Sequence, residues 1–143
     1  MSKNNNLEEA LLDKWLLITT SIKNNRIVKE LPSTEAMVLH LLINNYPNSV
    51  SVQYLIDKSK MLKSQMNRTI KSLEKKAYIE MTLDEKDKRC KRISITTLGQ
   101  NIIDEIHKTS IKACQDVISI IGEEDGKKLL SIFDKIIAHE EKK

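Results

Sequence analysis

The sequence predicts a mainly helical chain interrupted by one small antiparallel β hairpin. Along most of its 143 residues apolar side chains return every three or four positions, and only 3 Gly and 2 Pro are present to break helices. The exception is residues 78–96. Tyr78-Ile79-Glu80-Met81-Thr82-Leu83 and Arg92-Ile93-Ser94-Ile95-Thr96 alternate in polarity, and the second run is rich in β-branched residues. Between them lies the charged tip Asp84-Glu85-Lys86-Asp87-Lys88-Arg89-Cys90-Lys91. Aromatic residues make up only 3%, so the core must be built from Leu, Ile, Val and Met.

A first helix is expected over residues 7–30, where Leu7, Leu11, Leu12, Trp15, Ile18, Ile22 and Ile27 recur at helical steps. Leu16 and Leu17 widen that face beyond one core-facing stripe, which points to a second side buried against a partner chain. Leu31-Pro32-Ser33-Thr34-Glu35 has the residues of a helix start. Ala36, Val38, Leu39, Leu41, Leu42 and Ile43 make this second helix almost wholly apolar, hence central, and Asn44 to Ser49 are turn formers that end it. Ser51 is placed to cap a short third helix, Val52 to Lys58, and Lys58-Ser59-Lys60 forms a turn. A fourth helix is expected from about Leu62 to Lys76, with Met66, Ile70 and Leu73 on one face and a polar, basic remainder.

Two short helices joined by a tight turn, the second basic on its outer face and followed by a basic hairpin, make a winged helix-turn-helix. After the hairpin Thr96 or Thr97 caps a long fifth helix, which Gly122 stops. Glu123-Glu124-Asp125 then opens a sixth, with negative charge where the helix dipole favours it. The expectation is one domain over residues 1–143. The DNA-reading region spans about 31–98, and dimerisation helices at 7–30 and 97–140 carry more apolar surface than one small domain needs.

The charge distribution agrees. From Lys58 to Arg92 there are twelve Lys and Arg against five Asp and Glu, a net of +7, whereas the rest of the chain sums to −3. Segregated positive charge is the footprint of a polyanionic partner, although Lys-rich helices also serve solubility alone. No apolar run approaches a membrane span, and the N-terminus lacks the apolar stretch of a signal peptide. With only two cysteines, Cys90 and Cys114, there is no disulfide framework, so a cytoplasmic location is expected. No nucleophile motif, glycine-rich phosphate loop or supported carboxylate pair is present, which argues against an enzyme.

From about residue 7 to 140 the chain resembles the MarR family of bacterial transcriptional regulators. The wing carries the most specific likeness. The family favours Asp-x-Arg-Asp-x-Arg and then a strand running into Leu-Thr-x-x-Gly; here stand Asp84-Glu85-Lys86-Asp87-Lys88-Arg89 and Ile93-Ser94-Ile95-Thr96-Thr97-Leu98-Gly99. Leu73-Glu74-Lys75-Lys76-Ala77-Tyr78-Ile79 is similar to the family's Leu-Glu-Lys-Lys-Gly-Leu-Ile. Leu31 to Glu35 with Val38-Leu39 matches its second-helix start. The chain departs from the pattern at Lys86, where Arg is usual, and at Ala77, where Gly is usual. Without that glycine the backbone at 77 is expected to avoid the left-handed conformation. The reactive first-helix cysteine of the family's redox branch is also missing.

The resemblance implies a homodimer in the bacterial cytoplasm, at the nucleoid, with recognition helices in successive major grooves of a pseudo-palindromic operator. It implies a repressor released by a small molecule or other signal, with no cofactor, no metal and no membrane. Base reading falls to Lys63, Ser64, Gln65, Asn67, Arg68 and Lys71, with Gln65 and Arg68 foremost because Gln suits adenine and Arg suits guanine. Thr69 and Ser72 are further candidates for base or phosphate contact, and Lys58, Lys60 and Lys75 for phosphate neutralisation. On the wing, Lys86, Lys88 and Arg89 face DNA, and Asp87 orients Arg89 or simply shapes the turn.

Trp15, Met37 and His40 are candidates for an effector pocket, with core packing as the plainer reading; His40 is expected to be buried. Cys90, flanked by cations, is either a tolerated small residue or an oxidant sensor with a lowered pKa, and Cys114 is expected to pack inside. Two other functions fit the sequence: a helical interaction module using its basic face on an acidic protein, and an architectural DNA binder without an effector.

Overall fold

The computed structural model describes residues 6–24 and 31–141. The elements, in order, are α1 (Asn6–Asn24), α2 (Ser33–Asn45), β1 (Val50–Ser51), α3 (Val52–Ser59), α4 (Lys63–Lys75), β2 (Ile79–Leu83), β3 (Lys91–Ile95), α5 (Thr97–Ile121) and α6 (Glu123–Glu141). The expected continuation of the first helix through Ile27 to residue 30 lies outside the described residues. The chain divides into two compact units, residues 1–107 and 108–143.

The first unit holds the core. Val38, Leu39 and Leu42 of α2 meet Leu55 of α3, Met66, Ile70 and Leu73 of α4, and Ile79, Ile93 and Ile95 of the sheet, all less than a tenth exposed. Each fully buried aliphatic side chain stabilises the fold by about 1.5–3 kcal/mol. Because α2 is apolar nearly all round, it is the post against which α3, α4 and β3 pack.

Local chemistry fixes the joints. The Ser51 hydroxyl accepts a hydrogen bond from the Tyr54 amide at 3.0 Å and caps α3 as expected. Pro32 precedes α2, and its carbonyl accepts from the Ala36 amide at 3.1 Å, while no side chain caps that helix. The Thr96 hydroxyl accepts from the Gly99 amide at 3.0 Å and donates to the Ala77 carbonyl at 2.7 Å, so it opens α5 and ties it to the turn that ends α4. Gly122, at φ 91°, ends α5.

The hairpin is present, and a third strand joins it. β2 pairs antiparallel with β3, Ile79 opposite Ile95 and Met81 opposite Ile93, and β1 adds to the far side of β3 with Val50 opposite Ile93. The guanidinium of Arg92 fastens this edge, donating from Nη2 to the Ser49 carbonyl at 2.6 Å and from Nε to its hydroxyl at 3.2 Å.

The backbone at Ala77 corrects an expectation: φ is 65°, in the left-handed region. The reason is how α4 ends. The Tyr78 amide donates to the Leu73 carbonyl and the Ala77 amide to the Glu74 carbonyl, both at 3.0 Å, the paired bonds of a Schellman motif. That motif requires a left-handed residue at its turn, and Ala77 supplies it without the freedom of glycine.

In the second unit, Ile111, Val117, Ile118, Ile120, Leu130, Phe133, Ile136 and Ile137 all remain 44% or more exposed. Cys114, expected inside, is exposed as well.

Candidate nucleic-acid interface

The outer face of α4 follows from the inner one. Met66, Thr69, Ile70 and Leu73 recur at positions i, i+3, i+4 and i+7 and are buried, which leaves Lys63, Ser64, Asn67, Arg68, Lys71 and Lys75 exposed. Gln65 is half-buried at the margin. Two sequence candidates fall away from this face. Thr69 is 6% exposed and its hydroxyl donates to the Gln65 carbonyl at 2.8 Å, because it lies in phase with the core stripe. Ser72 is half-buried and its hydroxyl is turned inward, donating to Glu35 Oε2 at 3.3 Å.

Entry to α4 is set by Lys60, whose backbone is left-handed at φ 63° and whose amide donates to the Ile56 carbonyl at 3.0 Å. Its side chain is exposed. Lys58 lies 5.9 Å from the centroid of the Tyr54 ring, a cation–π contact that holds its ammonium at the surface.

The wing tip is ordered by its two aspartates. Asp84 Oδ1 accepts from the backbone amides of Lys86 and Asp87 at 2.8 and 3.3 Å, and Asp87 Oδ1 accepts from the Arg89 amide at 3.1 Å. Asp87 also takes the Arg89 side chain, Nε to Oδ1 at 3.2 Å, while that side chain stays 92% exposed. Turn shaping and arginine orientation therefore fall to the same carboxylate. The Arg89 amide first, then its side chain, holds the Asp87 carboxyl below its usual range. Lys86 and Lys88 are exposed beside it.

Cys90 completes the tip, its Sγ 3.6 Å from Asp87 Oδ2. The hydrogen bond to Asp87, then the charge of that carboxylate, pushes the thiol pKa up. This corrects the idea of a thiolate stabilised by neighbouring cations: the acidic neighbour outweighs them, and the thiol stays protonated at neutral pH.

The pocket candidates are scattered. A cavity of about 440 Å³ between α2 and the first turns of α5 is lined by His40, Ile43, Asn44, Gln100, Asn101, Ile103, Asp104 and His107. Of the three residues named from sequence only His40 lines it, and Trp15 and Met37 are exposed outside its wall. His40 is exposed rather than buried, with Nε2 3.3 Å from Asn44 Nδ2. Sequence reading missed the α5 wall, though His107 lies in phase with Ile103 one turn before it. Among the described residues no group of three potential ligands is placed to hold a metal, and no helix is long and apolar enough to cross a membrane.

Comparison with known proteins bears on this geometry. Residues 29–89 match the MarR family, a stretch covering the second helix, the helix-turn-helix and the wing tip. Solved structures share the fold over most of the chain. The PcaV transcriptional regulator from Streptomyces coelicolor, in complex with its natural ligand, is 12% identical with a TM-score of 0.77, over 90% of this chain and 89% of that one. A single-residue mutant of S. aureus MepR bound to an oligodeoxyribonucleotide is 16% identical with a TM-score of 0.62, over 92% and 96%. The transcriptional regulator BldR from Sulfolobus solfataricus is 21% identical with a TM-score of 0.72, over 97% and 99%. The family match thus spans the second helix, the helix-turn-helix and the wing tip, and the chain as a whole shares the fold of these solved structures.

Proposed function

We propose that the protein is a sequence-specific DNA-binding transcriptional regulator. One observation carries the reading: an exposed helix face bearing Lys63, Arg68, Lys71 and Lys75 stands on the same winged-helix unit as a tip whose Arg89 is oriented by Asp87. A basic helix suits the major groove, and an oriented guanidinium suits the negative potential of the minor groove. Lys63, Ser64, Gln65, Asn67, Arg68 and Lys71 read bases, Lys60 neutralises phosphate, and Lys86, Lys88 and Arg89 act from the wing.

The protein acts as a homodimer on a pseudo-palindromic operator. Support comes from apolar surface too large for a monomer: Leu7, Leu11, Leu12, Trp15, Leu16, Leu17 and Ile18 on α1 are all more than half exposed. A second copy of the chain is the occupant that fits two-fold symmetric DNA. The effector site is the cavity at His40 and His107, whose polar rim of Asn44, Gln100, Asn101 and Asp104 suits a small hydrogen-bonding molecule. Occupied, it releases the operator, which makes the protein a repressor.

Arg89→Ala tests the wing. Operator affinity, measured by fluorescence anisotropy, is expected to fall by about 1–3 kcal/mol with the oligomeric state unchanged. Unchanged affinity at moderate salt refutes the wing assignment. No retention of any duplex even at low salt refutes DNA binding altogether and favours an acidic protein as the partner of the basic face.

A further inference from the structure

Glu35 is the one carboxylate of the chain whose side chain is buried in the core of the first unit among the described residues, at 7% exposure. A carboxylate in that position costs several kcal/mol unless its charge and lone pairs are matched. Both oxygens are matched from the C-terminal end of α4, by its last turn and its cap. Oε1 pairs with the Lys76 ammonium at 2.7 Å, and Oε2 accepts from the Ser72 hydroxyl at 3.3 Å. Ser72 in the last turn of α4 and Lys76 at its C-cap are four residues apart, and 37 and 41 residues from Glu35.

We infer that Glu35 is a positioning residue for sequence recognition: its two-point grip fixes the rotation of the recognition helix about its own axis. The apolar stripe of Met66, Ile70 and Leu73 holds α4 against the core, but such contacts are non-directional and tolerate small rotations. A carboxylate bonded to two points on one face does not. The leverage is large, because a turn of ~20° about the axis moves a side-chain tip ~6 Å from it by ~2 Å. That displacement exceeds the range over which a hydrogen bond to a base edge survives. Arg68 and Gln65 lie one to two turns along the same helix. Lys76, although basic and partly exposed, is committed to Glu35 and is not one of the cations that carry non-specific affinity.

The inference rests on the DNA-binding reading above. Its test is the charge-neutral double substitution Glu35→Met/Lys76→Met, which exchanges an ion pair between a buried carboxylate and a partly exposed ammonium for apolar side chains of similar length and leaves net charge unchanged. Such an exchange is about neutral for stability, so a purely structural role is preserved. Affinities for a selected site and for a random duplex of equal length are measured at one salt concentration, alongside thermal melting. The folded double variant is expected to bind random duplex within about threefold of the native chain, since charge sets that term. Its preference for the selected site is expected to fall by about tenfold or more, the cost of misreading roughly one base pair. Retention of the full preference in the folded variant overturns the inference.

If the double variant does not fold, Glu35→Gln is decisive. It keeps the shape and loses the charged anchor; the freed Lys76 cation raises binding to both duplexes, so the ratio of selected-site to random-duplex affinity is the readout: it should fall, and an undiminished ratio overturns the proposal. The native protein is measured first. If it prefers no site, the regulator reading fails, and the inference fails with it.

Discussion

Ala77→Gly should make the protein more stable. Ala77 holds the left-handed turn at φ 65° because the Schellman bonds at the end of α4 demand it. For an L-residue that conformation costs about 1–2 kcal/mol. Glycine removes the cost but brings greater freedom in the unfolded chain, worth about 0.5–1 kcal/mol against folding. The side chain of Ala77 is exposed, so its loss leaves no cavity. The net is a gain of about 0.5–1 kcal/mol, which for a chain of this size raises the melting temperature by about 1–4 °C. Thermal unfolding followed by far-UV circular dichroism measures it, and DNA affinity should not change because the turn keeps its shape. A melting temperature at or below the native value refutes the argument that the turn is strained.

Three further outcomes test other parts of the account. Gly99→Ala should destabilise by about 3 kcal/mol or more and be seen as a sharply lowered melting temperature, because a Cβ there would overlap the Tyr78 carbonyl oxygen, which is backbone and fixed, and lie 2.8 Å from Ile95 Cγ1. Asp87→Ala, in a Cys114→Ser background, should speed alkylation of Cys90 by iodoacetamide at neutral pH, since the neighbour that keeps the thiol protonated is gone; an unchanged rate contradicts that cause. Lys60→Ala should weaken binding to all sequences alike and lower the log–log salt slope by about 1, whereas Arg68→Ala should alter base preference, both read by anisotropy titrations across salt.

The element order was legible because each signal was local. Helical periodicity, the Ser51 cap, the Gly122 stop and the alternation around residues 84–92 each lie within a few residues of what they specify. The two-residue β1 was not legible, because Val50 and Ser51 are extended only through pairing with Ile93 and Arg92, some forty residues away. Glu35 read as an ordinary first-turn acid for the same reason: its partners lie beyond any local window. Thr69 was misassigned although the signal was present, three residues after Met66 and so on the buried stripe. His40 and Cys114 were expected inside because their helices are apolar, yet an apolar helix buries only the sides that other elements cover. For the site, residue types and spacing marked the basic face and the wing tip, while the cavity wall required knowing which turn of α5 faces α2.

Selection of bound sites from a random duplex library by the native protein tests the central claim most directly. Enrichment of a pseudo-palindrome whose half-sites lie about 10 base pairs apart, centre to centre, is the predicted result. Recovery of no common sequence from a pool that binds, or no retention of DNA at low salt, contradicts it.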